Sequence, residues 1–439
     1  MRENGGKGAA MTTEAMTGSR QARTAATRQR IVDAARTLFV AHGYRSTSLR
    51  DIAAAASVSH PGLLGHFASK DDLLAEVVAG FESDNERSFD LLAAAAESGE
   101  LIFADVARRN AGTPGYLELF AALTGEASAP EHPAHERMRD RYERLRGLST
   151  EVMSDAALHG TIDPDRAVAE ETTRHMAGWD GLQLVSQYLP ARVDVVRMLE
   201  ERESLWALPP GWREPDQPAP TTMPSGPLPS LQVPLVDSDA AGAPGYASGR
   251  RRRTQIVADA MRLFSRGGYG DTSLSDIAKA VGVSKSTLLH HYPSKELLLR
   301  AVLAERDRAI QDGADGAPPE RASDALRVLP EGATVSALDE PGLIEVYAVL
   351  SCEAVPSAHP AHDYFAERFE RAIDYFAELF RLAQRDGDLS AHRDPEHEAI
   401  WLIAMWDGLQ YQWLYDREAV DVASHLRAHL ADLLPSARA

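Results

Sequence analysis

The chain has 439 residues, and 65 Asp and Glu against 46 Lys and Arg give it a formal net charge of −19. This length predicts two or three domains, and 44% hydrophobic with 25% charged residues is typical of a globular chain and excludes a disordered one. The negative charge excludes general attraction to nucleic acid or anionic membranes, so any such contact needs a local basic patch.

The first segment, residues 1–22, is predicted to be a disordered leader. It lacks the hydrophobic middle of a secretion signal, and no apolar run in the chain approaches the roughly 20 residues of a membrane span. Cys352 is the single cysteine, which excludes an intramolecular disulfide framework and suits a reducing compartment. We therefore expect a cytoplasmic protein with no membrane contact.

The sequence contains a large internal repeat. Arg28–Leu74 aligns without gaps with Arg253–Leu299, and 24 of the 47 positions are identical. A second match follows in each half, where His132–His135 recurs as His359–His362 with the same sequence, His-Pro-Ala-His. These matches indicate that a unit of about 185 residues has been duplicated.

A proline-rich linker, residues 207–249, separates the two copies. It contains ten prolines in 43 residues. Because proline removes a backbone donor and disfavours helix, this segment is predicted to be an extended or disordered tether. Such a tether does not force any one arrangement of the copies.

Each copy is predicted to be almost wholly helical. Apolar residues at helical spacing predict a first helix in both, and Gly43 and Gly268 end it. The next helix begins at Ser48 or Ser273, each followed three residues later by an aspartate, which is the spacing of a capping box.

A tight turn and another short helix follow in both copies. The turn is Ala56–Ser59 in copy one and Val281–Ser284 in copy two. Together with the preceding helices this is the helix-turn-helix arrangement, whose second helix fits the major groove of DNA. The serine that ends each turn, Ser59 or Ser284, is predicted to cap this reading helix.

Positive charge is concentrated in these same two segments. Between Arg20 and Asp72 there are 8 Lys and Arg and 4 Asp, giving +4. Between Arg250 and Glu296 there are 9 basic and 4 acidic residues, giving +5. In a chain of net charge −19, this distribution would orient both helix-turn-helix units toward phosphate.

The two segments resemble the TetR-type family, the tetracycline-repressor-like regulators of bacteria. The resemblance lies in T-S-L-x-D-I-A, then V-S, then L-L-x-H-[FY]-x-S-K, which is present as Leu63–Lys70 and Leu288–Lys295. It implies an all-helical protomer whose three N-terminal helices bind a double-stranded DNA operator, while the other helices bind a small-molecule effector and dimerise. Members are normally homodimers of one unit, so this chain resembles a dimer fused into one polypeptide, and further dimerisation stays open.

The predicted fold is therefore all-α, with two tandem units packed as an intrachain pseudo-dimer. The final helices of each copy, roughly 135–158 with 165–190 and 362–385 with 394–416, are where the resemblance places a four-helix interface. The predicted domains are the leader 1–22, DNA-binding domain 23–70, effector domain 71–206, linker 207–249, DNA-binding domain 250–295 and effector domain 296–439.

Outward-facing positions of the third helix are the candidates for reading base edges. They are His60, Pro61, Gly62 and Gly65 in copy one and Lys285, Ser286, Thr287 and His290 in copy two. Candidate contacts to the DNA backbone are Thr47, Ser48, His66 and Lys70, with Thr272, Ser273, His291 and Lys295 in copy two. Because the two reading surfaces differ, we expect an operator with unequal half-sites, read mainly by copy two.

Aromatic side chains in the larger helical parts could line an apolar effector cavity. The candidates are Phe120 and Trp179 in copy one and Tyr347 and Trp406 in copy two, although most aromatic residues there should belong to the core. A small apolar or aromatic effector that releases the operator is the expected regulation.

The other functional classes find less support in the sequence. The two His-Pro-Ala-His segments invite a metal hypothesis, but a proline within the motif and the lack of a third ligand favour a loop and helix start. No cofactor is expected. We find no nucleophile with its base, glycine-rich phosphate loop or paired carboxylates that would indicate an enzyme. The alternative is a DNA-architectural or protein-interaction module with the same fold and no response to a ligand.

Overall fold

The computed structural model describes residues 7–44, 47–81, 99–113, 115–231, 247–312, 319–333 and 341–434. Within these ranges all regular secondary structure is helical, which confirms the all-α prediction. The chain divides into two compact units, Met1–Asn85 and Glu86–Ala439. Among the described helices, none combines the length and the apolar character that crossing a membrane requires.

The first unit contains the helix-turn-helix of copy one. Its helices are α1 (Lys7–His42), α2 (Leu49–Ala55), α3 (His60–Leu64) and α4 (residues 70–81). The predicted disordered leader needs a correction, because α1 begins at Lys7 and residues 7–22 are helical. Its sequence has no proline before His42, so nothing breaks a helix that is nucleated further along the chain. Residues 1–6 lie outside the described residues.

The second unit holds the rest of copy one and all of copy two. From copy one it contains α5 (Phe103–Ala111), α6 (Tyr116–Glu126), α7 (His135–Leu158), α8 (Val168–Tyr188) and α9 (Val195–Leu205). Copy two begins with α10 (Ala247–Asp271), α11 (Leu274–Val281), α12 (Lys285–His291) and α13 (Lys295–Asp312). It ends with α14 (Ala322–Arg327), α15 (residues 329–333), α16 (Pro341–Glu353), α17 (His362–Arg385), α18 (Pro395–Tyr415) and α19 (Val422–Leu433).

The two effector domains meet where α8 of copy one crosses α18 of copy two. The crossing has a pseudo-twofold symmetry, because Gly181 lies against the backbone of Ala404 and Gly408 lies against the backbone of Ala177. A Cβ atom on Gly181 would come within 1.9 Å of the Ala404 carbonyl oxygen, and one on Gly408 within 1.8 Å of the Ala177 oxygen. Glycine at both positions therefore lets the two helices approach to backbone contact, and together with α7 and α17 they form the predicted interface.

Tyrosines at the ends of α8 and α18 cross this seam in the same symmetric way. The Tyr415 hydroxyl donates to the backbone oxygen of Thr124 at 2.9 Å, and the Tyr188 hydroxyl donates to that of Ser351. Both hydroxyls are buried with their carbonyl partners. Each copy thus supplies a hydrogen bond to the other, which fixes the register of the seam.

The first part of the linker is not the free tether that its composition predicts. Residues 207–231 lie along copy two, where the backbone N–H of Thr221 donates to the Asp386 carbonyl at 2.9 Å. Ser225 Oγ bonds the Asp386 carboxylate and accepts from the Ala322 N–H at 2.9 Å. Proline disfavours helix but leaves such side-chain and backbone contacts open. Residues 232–246, which also belong to the predicted linker, lie outside the described residues, and residues 247–249 begin α10.

Candidate DNA-binding surface

Capping boxes begin the second helix in both copies, as predicted. The Asp51 N–H donates to Ser48 Oγ at 3.2 Å, and the Ser48 N–H donates to Asp51 Oδ2 at 3.0 Å. The same pair of bonds joins Ser273 and Asp276 at 3.1 and 3.2 Å. Hydrogen bonds from the serine hold the pKa of each aspartate below its usual value, so both caps are complete at neutral pH.

The third helix is capped by serine in both copies, which is also as predicted. Ser59 Oγ accepts from the Gly62 N–H at 3.1 Å, and Ser284 Oγ accepts from the Thr287 N–H at 3.1 Å. Leu63 and Leu288 are fully buried and attach this helix to the core. The serines that the sequence predicts as caps of the two reading helices are therefore N-caps in the structure.

The two turns share a left-handed backbone position but have different residues there. Ser57 in copy one adopts the left-handed conformation, with φ of +56°, where copy two has Gly282 with φ of +72°. Glycine adopts this conformation without a steric penalty, whereas serine does not. The turn of copy one is thus the more strained of the two.

The two threonines proposed as phosphate contacts are held inside their domains. Thr47 is buried and its hydroxyl donates to the Gly43 carbonyl at 2.8 Å, while Thr272 is buried and donates to the Gly268 carbonyl at 2.8 Å. These bonds close the loop between the first and second helices. A role of these two residues in DNA binding stays a prediction, as it does for the exposed Ser48 and Ser273.

The lysines that open the fourth helix also have partners within their own domains. Lys70 Nζ donates to the carbonyls of Tyr44 and Thr47 at 2.9 and 3.1 Å and lies 4.3 Å from the centre of the Tyr44 ring. Lys295 Nζ donates to the Gly270 carbonyl at 3.1 Å and lies 4.1 Å from the Tyr269 ring. Both ammonium groups therefore fix the loop that precedes the second helix, in addition to any contact with phosphate.

Most of the candidate base-reading residues lie at the protein surface. In copy one Pro61, Gly62 and Gly65 are exposed and His60 is half-buried, as is the backbone candidate His66. In copy two the four candidates on α12 are exposed, and His291 is half-buried; they are Lys285, Ser286, Thr287 and His290. Burial, Arg253 and His290 lower the pKa of His291, so it is neutral at pH 7 and does not add to the positive charge.

A glutamate that repeats between the copies joins DNA-binding domain two to its effector domain. Glu353, at the end of α16, accepts from the backbone N–H groups of Tyr269 and Gly270. The Tyr269 ring also packs edge-on against His359, with centroids 5.2 Å apart. The repeat of Glu126 as Glu353 next to the His-Pro-Ala-His segment was the signal that could have indicated this joint.

The His-Pro-Ala-His segments act as helix starts. His135 Nδ1 donates to the Ala127 carbonyl at 2.8 Å and His362 Nδ1 donates to that of Ala354 at 3.0 Å. His132 Nδ1 accepts from the Ala134 N–H at 3.2 Å. Across the described ranges, no group of three or more His, Cys, Asp and Glu is arranged to hold a metal ion.

The candidate effector residues lie in two equivalent places, one in each copy. Phe120 and Tyr347 are buried at matching positions of α6 and α16, and the Tyr347 hydroxyl donates to Asp407 Oδ2 at 3.0 Å. Trp179 and Trp406 are half-buried at matching positions of α8 and α18. Neither indole N–H has a hydrogen-bond partner among the residues that the structure describes.

Asp180 on α8 lies near Arg141 and Tyr142 of α7 and near Gln412 of α18. Burial raises the pKa of Asp180 to about 7, although Arg141 and the approach of Tyr142 and Gln412 offset part of the rise. In copy two the Tyr347 hydroxyl donates to the equivalent aspartate, Asp407. Copy one has Phe120 at the position of Tyr347 and therefore lacks this donor. Within the described part of the chain, Asp180 Oδ2, the Tyr142 hydroxyl and the Gln412 amide close no hydrogen bond of regular geometry.

Two capped helix-turn-helix units of this kind, each followed by a helical domain, define a DNA-binding regulator. The family model described as "Bacterial regulatory proteins, tetR family" matches residues 31–77 and again residues 256–302. The model described as "BetI-type transcriptional repressor, C-terminal" matches residues 352–435.

The chain belongs to the tetR family of bacterial regulatory proteins. It is 30% identical over 189 residues to the HTH-type transcriptional regulator EthR of Mycolicibacterium smegmatis, covering 43% of this chain and 68% of that protein. It is 24% identical over 204 residues to the HTH-type transcriptional repressor BepR of Brucella suis, covering 44% of this chain and 95% of that protein. A TetR-family regulator from Agrobacterium tumefaciens covers 42% of this chain and 99% of its own, with 19% identity and a TM-score of 0.38. Each of these three proteins thus corresponds to less than half of the chain.

Proposed function

We propose that the chain is a ligand-responsive transcriptional repressor that binds an operator with two unequal half-sites and is released by a small effector. The observation that carries the proposal is the pair of reading helices, His60–Leu64 and Lys285–His291, each with a serine N-cap, in one polypeptide. Since the two helices differ in sequence, the symmetry that makes a homodimer read a palindrome does not apply.

Copy two supplies the larger share of base recognition. Lys285, Thr287 and His290 offer donors on an exposed helix, whereas Pro61, Gly62 and Gly65 offer none from their side chains. Phosphate contacts from both domains position the chain and carry little sequence information.

The effector binds in copy one, next to Asp180. This assignment is supported by the polar atoms of Asp180, Tyr142 and Gln412 that close no hydrogen bond of regular geometry, and by Phe120, which stands where copy two has the donor Tyr347. A buried carboxyl that lacks a donor of regular geometry is costly, so a ligand that donates to Asp180 gains more than one that donates to Asp407, which already accepts from Tyr347. We infer a small aromatic or apolar effector that carries one hydrogen-bond donor.

Selection of bound fragments from random DNA tests the first part of this proposal. We expect one enriched sequence with two dissimilar half-sites, and a palindrome would contradict the reading by two different helices.

A screen for compounds that release the selected DNA tests the second part, with Asp180→Asn as the variant and Asp407→Asn as its match in copy two. Loss of release in Asp180→Asn alone supports the copy-one site. If no compound releases the DNA, the chain is better explained as an architectural module that has kept the fold.

A further inference from the structure

A small recess lies at the seam between the two copies. Arg174 and His175 on α8 and Arg202 on α9 line it from copy one, and Trp401 and His429 line it from copy two. Its volume is about 10 Å³, which is about the room that one water-sized occupant needs. The occupant must therefore be small.

The buried part of the ion cluster around the recess has more positive than negative charge. Four buried arginines face three buried carboxylates, and the fourth carboxylate that reaches the cluster, Glu170, is largely exposed to solvent. The buried members are Arg166, Arg174, Arg202 and Arg393 with Glu171, Glu398 and Asp432. Burial lowers the pKa of His175 and of His429 to about 3, so neither imidazole adds charge at neutral pH.

The carboxylates of the cluster are already committed. Glu171 accepts from Arg166 and Arg174, each at 3.1 Å, and Glu398 accepts from Arg202 at 2.9 Å and from Arg393 at 3.0 Å. Glu170 reaches within 3.6 Å of Arg174 Nη1, but its side chain is 60% exposed and its charge is therefore screened by solvent.

Several buried polar atoms that line the recess lack a hydrogen-bond partner. Among the described residues, Arg174 Nη1, both ring nitrogens of His175 and Nε2 of His429 have no hydrogen-bond partner. His175 is 1% exposed and its ring packs against Trp206, with centroids 4.8 Å apart. Because a neutral imidazole carries one N–H, Arg174 and His175 together present at least two unused donors to the same small space.

We propose that this recess binds one monovalent anion of halide size, held by Arg174 and His175. A water molecule would fill the volume but would leave the excess of buried positive charge uncompensated, whereas an anion satisfies both the donors and the charge. The ion lies between α8 of copy one and α19 of copy two, so its binding strengthens the seam. The inference does not depend on DNA binding or on the effector.

Bromide is the probe that locates the ion directly. Crystals of the full chain grown in sodium bromide, with diffraction recorded at the bromine absorption edge, are expected to show an anomalous peak in the recess within hydrogen-bonding reach of Arg174. A recess that holds only water, with bromide elsewhere on the surface, would overturn the proposal.

Thermal unfolding measures the same site in solution. At equal ionic strength, replacing sodium gluconate by bromide should raise the unfolding midpoint saturably by several degrees, because gluconate is too large to enter. Arg174→Gln should lose this response, and Arg197→Gln should keep it, since Arg197 is an exposed arginine of α9 that pairs with Glu201 at 3.0 Å.

The variant His175→Phe distinguishes loss of the anion site from loss of folding. Phenylalanine preserves the aromatic packing against Trp206 and removes both unpaired nitrogens, so the variant should fold at least as stably as the parent in gluconate. It should show no saturable response to bromide. An equal bromide response in the parent and in His175→Phe would refute the anion site.

Discussion

Gly125 on α6 and Cys352 on α16 occupy equivalent positions of the two copies and face each other across the seam. A Cβ atom on Gly125 would lie 2.6 Å from the Cβ of Cys352 and 3.3 Å from the Val349 carbonyl oxygen. Burial raises the pKa of the Cys352 thiol to about 12, so it acts as an uncharged packing group. Two identical copies would place two glycines or two cysteines at this contact. The contact between a cysteine and a glycine therefore favours packing of copy one against copy two over packing of two identical copies.

We therefore expect Gly125→Ala to lower the free energy of unfolding by about 2 kcal/mol, because the added methyl group overlaps Cys352 and backbone. Chemical denaturation of the full chain measures it. The control is Gly147→Ala on α7, where a Cβ meets nothing within 4 Å. This control should gain up to about 1 kcal/mol from helix propensity. Equal effects of the two substitutions would contradict the close contact.

Glu353 links the stability of DNA-binding domain two to α16. In Glu353→Ala the N–H groups of Tyr269 and Gly270 lose their acceptor, and we expect a loss of about 2 kcal/mol, typical of hydrogen bonds to a charged group. Hydrogen exchange should show faster exchange at these two amides. Glu345→Ala, on the same helix but paired with Arg417 near the surface, should leave them protected.

The local parts of the fold could be predicted from the sequence, because short-range patterns encode them. Ser48 with Asp51 and Ser273 with Asp276 were predicted as capping boxes from spacing alone, and both are present. The conformation of Ser57 could not be predicted in this way, since serine has no preference for positive φ and only its match with Gly282 indicates one.

Contacts between residues far apart in the chain could not be predicted from the sequence. The joint at Glu353 and the contacts of Ser225 with Asp386 connect residues far apart in the chain, and no periodic pattern marks them. Similarly, Thr47 has the residue type and position of a phosphate contact, but only the fold shows that its hydroxyl donates to Gly43.

The strained turn of copy one gives a paired test. Ser57→Gly should raise the free energy of unfolding by up to about 1 kcal/mol, because glycine adopts φ of +56° without the steric cost that serine has. Gly282→Ser, the reciprocal change at φ of +72°, should lower it by about 1 kcal/mol. Calorimetry on both variants measures these shifts, and changes of the same sign would show that side-chain contacts outweigh the backbone term.

Base recognition by copy two predicts unequal effects on DNA specificity. Lys285→Ala with Thr287→Ala should relax the sequence preference at one half-site, and each lost base contact should cost about 1–3 kcal/mol. His60→Ala should change the preference far less, because His60 is half-buried whereas Lys285 and Thr287 are exposed. Binding-site selection with each variant measures this. Equal relaxation at the two half-sites would disprove the asymmetry.

The raised pKa of Asp180 predicts how stability depends on pH. An acid whose folded pKa is about 7 stays protonated in the folded chain while the unfolded chain ionises above its ordinary value of 3.8. The folded state is therefore penalised progressively from about pH 4 to pH 7, and the penalty is complete above pH 7. Asp180→Asn removes it, so the variant should be more stable than the parent at pH 8 by on the order of 2 kcal/mol and nearly equal to it at pH 4. Asp407→Asn should bring no such gain, because Tyr347 already donates to that carboxylate. Denaturation curves at the two pH values decide the matter, and a gain for Asp180→Asn that is the same at pH 4 and pH 8 would mean that the effect is packing and not ionisation.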